Sequence, residues 1–229
     1  MRKYNGREEG PMNLTHEIQS IVYAIPGTIL GITLHEFAHA VTSYALGDPT
    51  PRYDGRLSLN PLRHFEWKGT LCLILFHFGW AKPVMINPWY YKNPRVGSML
   101  VAAAGPLMNL ILSFLSLVIY TLSLLFLQGT EAGYMIGTFS QYSAFINVGL
   151  FVFNLIPIPP LDGHHILGGL FPPVRKLYSR FPQAMTVILL LIVFTGVANG
   201  PLAYIDALVI QKVWYLAAMF LNKVLPLFL

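Results

Sequence analysis

Five apolar runs, at roughly residues 18–46, 97–127, 134–156, 184–199 and 201–222, leave this chain few folds to choose from. A bilayer-spanning helix needs about 20 predominantly apolar residues, and in lipid only helices and closed barrels satisfy their own backbone. Composition agrees: of 229 residues, 55% are hydrophobic and only 11% charged, against about 25% charged in soluble domains. The expected fold is an all-α integral membrane protein, a bundle of about five to six transmembrane helices. A short membrane-associated strand or re-entrant segment should follow the first helix, because Gly69–Phe78 is apolar but short for a full crossing.

A polar N-terminal segment, 1–17, precedes a single polytopic domain, 18–229. Its catalytic core should cover about 18–170, with a C-terminal helical hairpin at about 184–224 turning at Asn199-Gly200-Pro201. The first apolar run has no cleavage pattern of the signal-peptide kind and is expected to be retained. One cysteine, Cys72, excludes an intrachain disulfide and a thiolate metal cluster. The net charge of +5 fits basic loops beside a membrane; no basic-aromatic patch points to nucleic acid. Region 47–97 carries Arg52, Arg56, Arg63, Lys68, Lys82, Lys92 and Arg95, and region 171–183 carries Arg175, Lys176 and Arg180, whereas 128–133 has only Glu131. If Gly69–Phe78 makes no net crossing, the excess of basic residues places the first two regions in the cytoplasm and 128–133 outside, with the N-terminus outside as well.

Inside the first run stands His35-Glu36-Phe37-Ala38-His39. A charged group at mid-bilayer costs about 3 kcal/mol on insertion scales, so three ionisable residues in five need a reason. On a helix the two histidines share a face, the arrangement with which zinc hydrolases bind metal while the glutamate acts as general base. A catalytic zinc site needs a third protein ligand and a position for water. Asp162 is the candidate: it follows a break at Pro157, Pro159 and Pro160, which forces non-helical backbone, and such backbone at membrane depth must lie within protein or beside water. A helix N-cap is the competing reading for Asp162.

Five segments, HEFAH (35–39), DGRLSLNP (54–61), GWAKPVMINP (79–88), AAGPLMNL (103–110) and NLIPIPPLDGHHIL (154–167), resemble in kind and order those of the site-2 protease family, the intramembrane zinc metalloproteases. The likeness is to a compact bacterial form without additional soluble domains. It implies one catalytic zinc ion held by His35, His39 and Asp162, with Glu36 as base. Asn109 matches the asparagine of the GPxxN element and Asn154 the one opening NxxPxPxLDG. Both offer amide donors for the substrate backbone or the developing oxyanion, against a rival role as interhelical hydrogen-bond glue. His164 stands where the family often has glycine, and His165, three positions after Asp162, suits support of the site or packing rather than ligation.

The substrate implied is a transmembrane segment of another protein in the lipid bilayer, with an active site towards the cytoplasmic side of a bacterial cytoplasmic membrane. A regulatory membrane partner is left unidentified. The alternating Arg56–Asn60 stretch within Pro51–Pro61 offers a strand on which an unwound substrate could pair. A transporter or channel using the His/Glu/Asp cluster as an ion site is the main alternative.

Overall fold

The computed structural model describes residues 14–64, 66 and 82–227. Gly69–Phe78, Cys72, Trp67, Trp80, His77 and most of the N-terminal segment lie outside these. The described residues are mainly helical and contain no β-strand.

Helix α1 (Leu14–Ala45) carries the first apolar run. It stops at Gly47, whose φ of +103° a side chain would oppose. The Gly47 amide donates to the Tyr44 carbonyl and the Asp48 amide to the Ser43 carbonyl, a Schellman termination. Helix α2 is one turn, Thr50–Tyr53, and 3₁₀ turns follow at Pro61–Arg63 and Pro88–Tyr90. Helix α3 (Pro94–Phe126) begins with Asn93 accepting from the Arg95 and Val96 amides. Helix α4 (Glu131–Asn154) begins with Thr130 accepting from the Gly133 amide. After the proline break come α5 (Gly163–Leu170), α6 (Pro172–Arg180), α7 (Pro182–Thr195) and α8 (Asn199–Val224).

Within α1, Gln19–Ala45 is long and apolar enough to cross a membrane, as are α3, α4 and α8. α6 and α7 form a pair bent by 91° that counts as one broken crossing at most. The described spans therefore number four or five, at the low end of the expected five to six. α7 alone, at 14 residues, is about 21 Å long and short of a hydrocarbon core of about 30 Å.

Two expectations shift. The C-terminal turn lies at Gly196 (φ +66°), and Asn199-Gly200-Pro201 forms the first turn of α8. Proline at the start of a helix lacks only an amide that has no partner there, so the same three residues read equally well as a helix start. α8 packs along α3 and α4, not along α7. The strand expected within Pro51–Pro61 is absent: Thr50–Tyr53 is helical and Leu57–Asn60 is irregular.

α1, α3 and α4 form the centre, drawn together by small residues. A Cβ on Gly27 would lie 3.0 Å from Ser143 Cα, and one on Gly31 would lie 2.8 Å from Asn147 Oδ1. Lipid supplies no hydrophobic force between helices, so such close approach, which maximises dispersion contact, is what holds them. α8 seats Val213 and Ala217 against Leu117 and Ala144.

Asp48, fully buried just beyond α1, fastens this bundle to the segment Lys82–Asn87. Its carboxylate accepts from Ser43 Oγ (2.8 Å), the Thr50 amide (2.9 Å) and the Asn87 amide (2.7 Å). Burial alone would raise its pKa, but the hydrogen bonds from Thr50, Asn87 and Ser43 outweigh it and hold the pKa below the ordinary value of 3.8. A depressed carboxylate contributes stability above its unfolded pKa and loses it as pH falls through the folded value. Thermal unfolding in detergent should therefore show wild type losing stability below about pH 4. Asp48→Asn should flatten that limb and cost about 2 kcal/mol at neutral pH; an unchanged acid limb would remove Asp48 from this role.

Candidate metal centre

His35 and His39 lie on one face of α1, and α3 fixes both rings. His35 Nδ1 is 2.7 Å from Asn109 Oδ1, and His39 Nδ1 is 2.7 Å from the Val101 carbonyl. Both partners are acceptors, so both histidines are protonated at Nδ1 and present the lone pair of Nε2. The Asn109 orientation is set independently, since its Nδ2 donates to the Gly31 carbonyl (3.1 Å) and to Asn147 Oδ1 (2.9 Å). Asn147 in turn donates to the Ser143 carbonyl at 2.8 Å.

Asp162 reaches the same point from the far side. The chain leaves α4, passes the three prolines and folds back so closely that a Cβ on Gly163 would lie 2.6 Å from the Ile156 carbonyl oxygen. Asp162 occupies the N-cap position of α5 but makes no capping bond with its side chain. Instead Oδ2 is 3.1 Å from His35 Nε2 and 3.3 Å from His39 Nε2, while the two Nε2 atoms are 3.0 Å apart. With both imidazoles neutral and protonated at Nδ1, as metal ligands must be, no hydrogen lies between these three atoms, and Asp162 Oδ2 is buried without a hydrogen-bond donor. Three lone pairs converging inside a protein repel one another unless a cation sits among them. Tetrahedral ligands with bonds of about 2.0–2.1 Å stand about 3.3 Å apart, close to the separations seen, so the residues fit a metal of that kind. Among the described residues this is the one His/Cys/Asp/Glu group suited to hold a metal.

Gly105 was not singled out by sequence reasoning. A Cβ there would lie 2.6 Å from Cε1 of both His35 and His39, and closer still to His39 Nε2. The ring edges approach bare α3 backbone here, and Gly105-Pro106 in the middle of a long apolar helix was the available signal.

A cleft of about 480 Å³ opens on the triad, lined by Glu36, Asn154, Leu189 and the irregular segment containing Pro83, Val84 and Ile86. Its wall is largely apolar. Glu36 is half-buried, and its carboxylate has no hydrogen-bond or ion-pair partner among the described residues. Asn154 donates one Nδ2 hydrogen to the Leu150 carbonyl (2.9 Å), leaving the other for the cleft. Asn109 differs: it is fully buried, and its two amide hydrogens have the partners given above. Leu189 of α7 is 3% exposed, so the short helix covers the cleft even though its length does not suit it to cross a bilayer alone. His165 lines the cleft and His164 stacks on it, ring centroids 3.8 Å apart.

Comparison with known proteins identifies the family. Over 185 residues, 79% of this chain and 84% of the relative, it is 37% identical to the Bacillus subtilis protein named "Putative zinc metalloprotease YwhC". The peptidase family M50 model matches residues 122–196, which include Asp162 but not the two histidines. The chain belongs to peptidase family M50, the site-2 proteases. A second relative is the Mycobacterium tuberculosis protein named "Putative zinc metalloprotease Rip2", 30% identical over 80% of this chain and 73% of its own length. No solved structure matches the chain. Family membership makes this a multi-pass membrane metalloprotease and decides against the transporter reading.

Proposed function

We propose that this M50 metalloprotease cuts a peptide bond within or beside a transmembrane segment of another membrane protein, using zinc held by His35, His39 and Asp162. The convergence of three lone-pair donors within 3.0–3.3 Å of one another carries the reading. The metal, when bound, acidifies a water and polarises the scissile carbonyl.

The chain's own residues supply the rest. Glu36, open to the cleft, takes a proton from water and delivers it to the leaving amine nitrogen. Asn154 has an amide hydrogen to offer the substrate carbonyl as it gains charge. Asn109 has none to spare and serves instead by holding the His35 ring with Nε2 towards the metal, the kind of support whose loss costs 10–100-fold in metal affinity. A helix hides its amides in internal bonds, so the substrate must unwind, and the non-helical residues Pro83–Ile86 that line the cleft offer backbone groups for it. That segment replaces the one expected in Pro51–Pro61. It is held at both ends: Arg56 Nη2 donates to the Pro83 carbonyl (3.2 Å) and Asp48 accepts from Asn87.

Sidedness follows from charge. The site lies towards the end of the bundle that carries Arg52, Arg63, Lys92, Arg95, Arg175, Lys176 and Arg180, while the opposite turn holds Glu131. This end is assigned to the cytoplasm of a bacterial cell. The lipid bilayer and a membrane-protein substrate are the partners this role requires, and a regulatory membrane partner would be additional.

Metal analysis of purified protein tests the ligand set. Wild type should hold about one zinc per chain, and Asp162→Ala less than about a tenth of that. Full zinc occupancy in Asp162→Ala would remove Asp162 from the site.

A further inference from the structure

Beside the zinc cleft lies a second cavity of about 320 Å³ that the hydrolytic mechanism does not use. Its wall holds Arg95, Arg175, His164, His165 and Tyr178 and, among the described residues, no aspartate or glutamate. Arg95 is occupied: its Nε donates to the Gly169 carbonyl and Nη2 to the Leu170 carbonyl (2.9 Å), fastening the end of α5 to α3. Arg175 is different. It has no hydrogen-bond or ion-pair partner among the described residues, and its stem packs at Gly168, where a Cβ would lie 3.4 Å from Arg175 Cβ. The side chain is exposed at the rim of the cavity, and its five guanidinium donors make no hydrogen bond to the described residues. Ser98 and His165 line both this cavity and the zinc cleft, so the two adjoin. Pro88, which follows the non-helical segment that borders the cleft, lines the cavity as well.

We propose that this cavity is an anion subsite of the protease, which receives a carboxylate side chain of the substrate a few residues to one side of the bond that is cut. The assignment rests on the proposed placement of an unwound substrate along Pro83–Ile86: a strand continuing past Pro88 runs from the zinc cleft into the basic cavity. A guanidinium with a free planar fork pairs with a carboxylate in two parallel hydrogen bonds, and does so best where, as here, no internal acid competes. Preferred substrates then carry aspartate or glutamate near the cytoplasmic end of the segment that is cleaved.

The test uses transmembrane reporters bearing a single Glu, or Gln in its place, at successive positions on both sides of the cut bond. Wild type should favour Glu over Gln by about tenfold in kcat/KM at one or two adjacent positions. Arg175→Glu should bring that ratio to one or below, and Arg175→Lys should keep part of it. A flat wild-type profile overturns the proposal, as does an Arg175→Glu defect equal on both reporters. Binding of fluorescent Glu and Gln reporters to Glu36→Gln protein gives the same comparison without turnover. Absence of cleavage by wild type would count against the protease reading, while the binding ratio would still decide the subsite. Parallel vesicles of phosphatidylglycerol and phosphatidylcholine separate the remaining source of anions. An Arg175 effect that follows the anionic lipid rather than the reporter residue assigns the cavity to a headgroup phosphate and overturns the proposal.

Discussion

Glu36→Gln should retain zinc at the wild-type level and lose cleavage of a transmembrane reporter by about a thousandfold or more. Glutamine keeps the shape of the side chain and loses its ability to accept a proton. Metal binding should survive because Glu36 is not among the three atoms that converge: those belong to His35, His39 and Asp162. The substitution is also mild in structural terms. The Glu36 carboxylate has no hydrogen-bond or ion-pair partner among the described residues, so no buried donor is orphaned by the change. Initial rates in detergent or proteoliposomes, with zinc measured on the same samples, make the comparison. Cleavage at the wild-type rate by Glu36→Gln would remove the general base from the account.

Gly105→Val attacks the same site from a residue that touches no substrate. The histidine rings lie where a Cβ at 105 would have to go, and α3 cannot retreat without releasing the Val101 and Asn109 acceptors that orient them. Packed interiors do not absorb such an intrusion by small shifts. Zinc affinity, measured by competition with a chelator, should fall by about a hundredfold. The rise in melting temperature on adding zinc should shrink with it. Gly105→Ala should fall between the two. Wild-type zinc affinity in Gly105→Val would show that α3 does not set the ligand geometry.

What could be read from the sequence, and what could not, divides along a physical line. The class of protein, the spans that became α1, α3, α4 and α8, and the convergence of Asp162 on His35 and His39 all rest on local signals. These are run length, i to i+4 spacing, and a proline break ending in a carboxylate. Contacts between distant segments were not available in that way. Asn109 read as a donor for substrate because its type allows it; only the positions of Gly31 and Asn147 show both hydrogens taken. Asp48 follows Gly47 like any loop aspartate, and its burial becomes evident only when Asn87, 39 residues on, comes within 2.7 Å. The alternation of Arg56–Asn60 suggested a strand, but Arg56 is drawn inward to the carbonyls of Arg63 and Pro83 instead. The apolar run at 184–199 was long enough to suggest half of a hairpin, yet Pro182 and Gly196 leave 14 helical residues, which put Leu189 over the zinc cleft.

The central claim concerns where in a substrate the bond is cut. Mass spectrometry of the two fragments of a transmembrane reporter, cleaved in proteoliposomes, locates that bond directly. The account predicts one main cut within or at the cytoplasmic edge of the reporter's apolar segment, abolished by a zinc chelator and restored by zinc. A cut in a soluble loop away from that segment, or one insensitive to chelation, would contradict it.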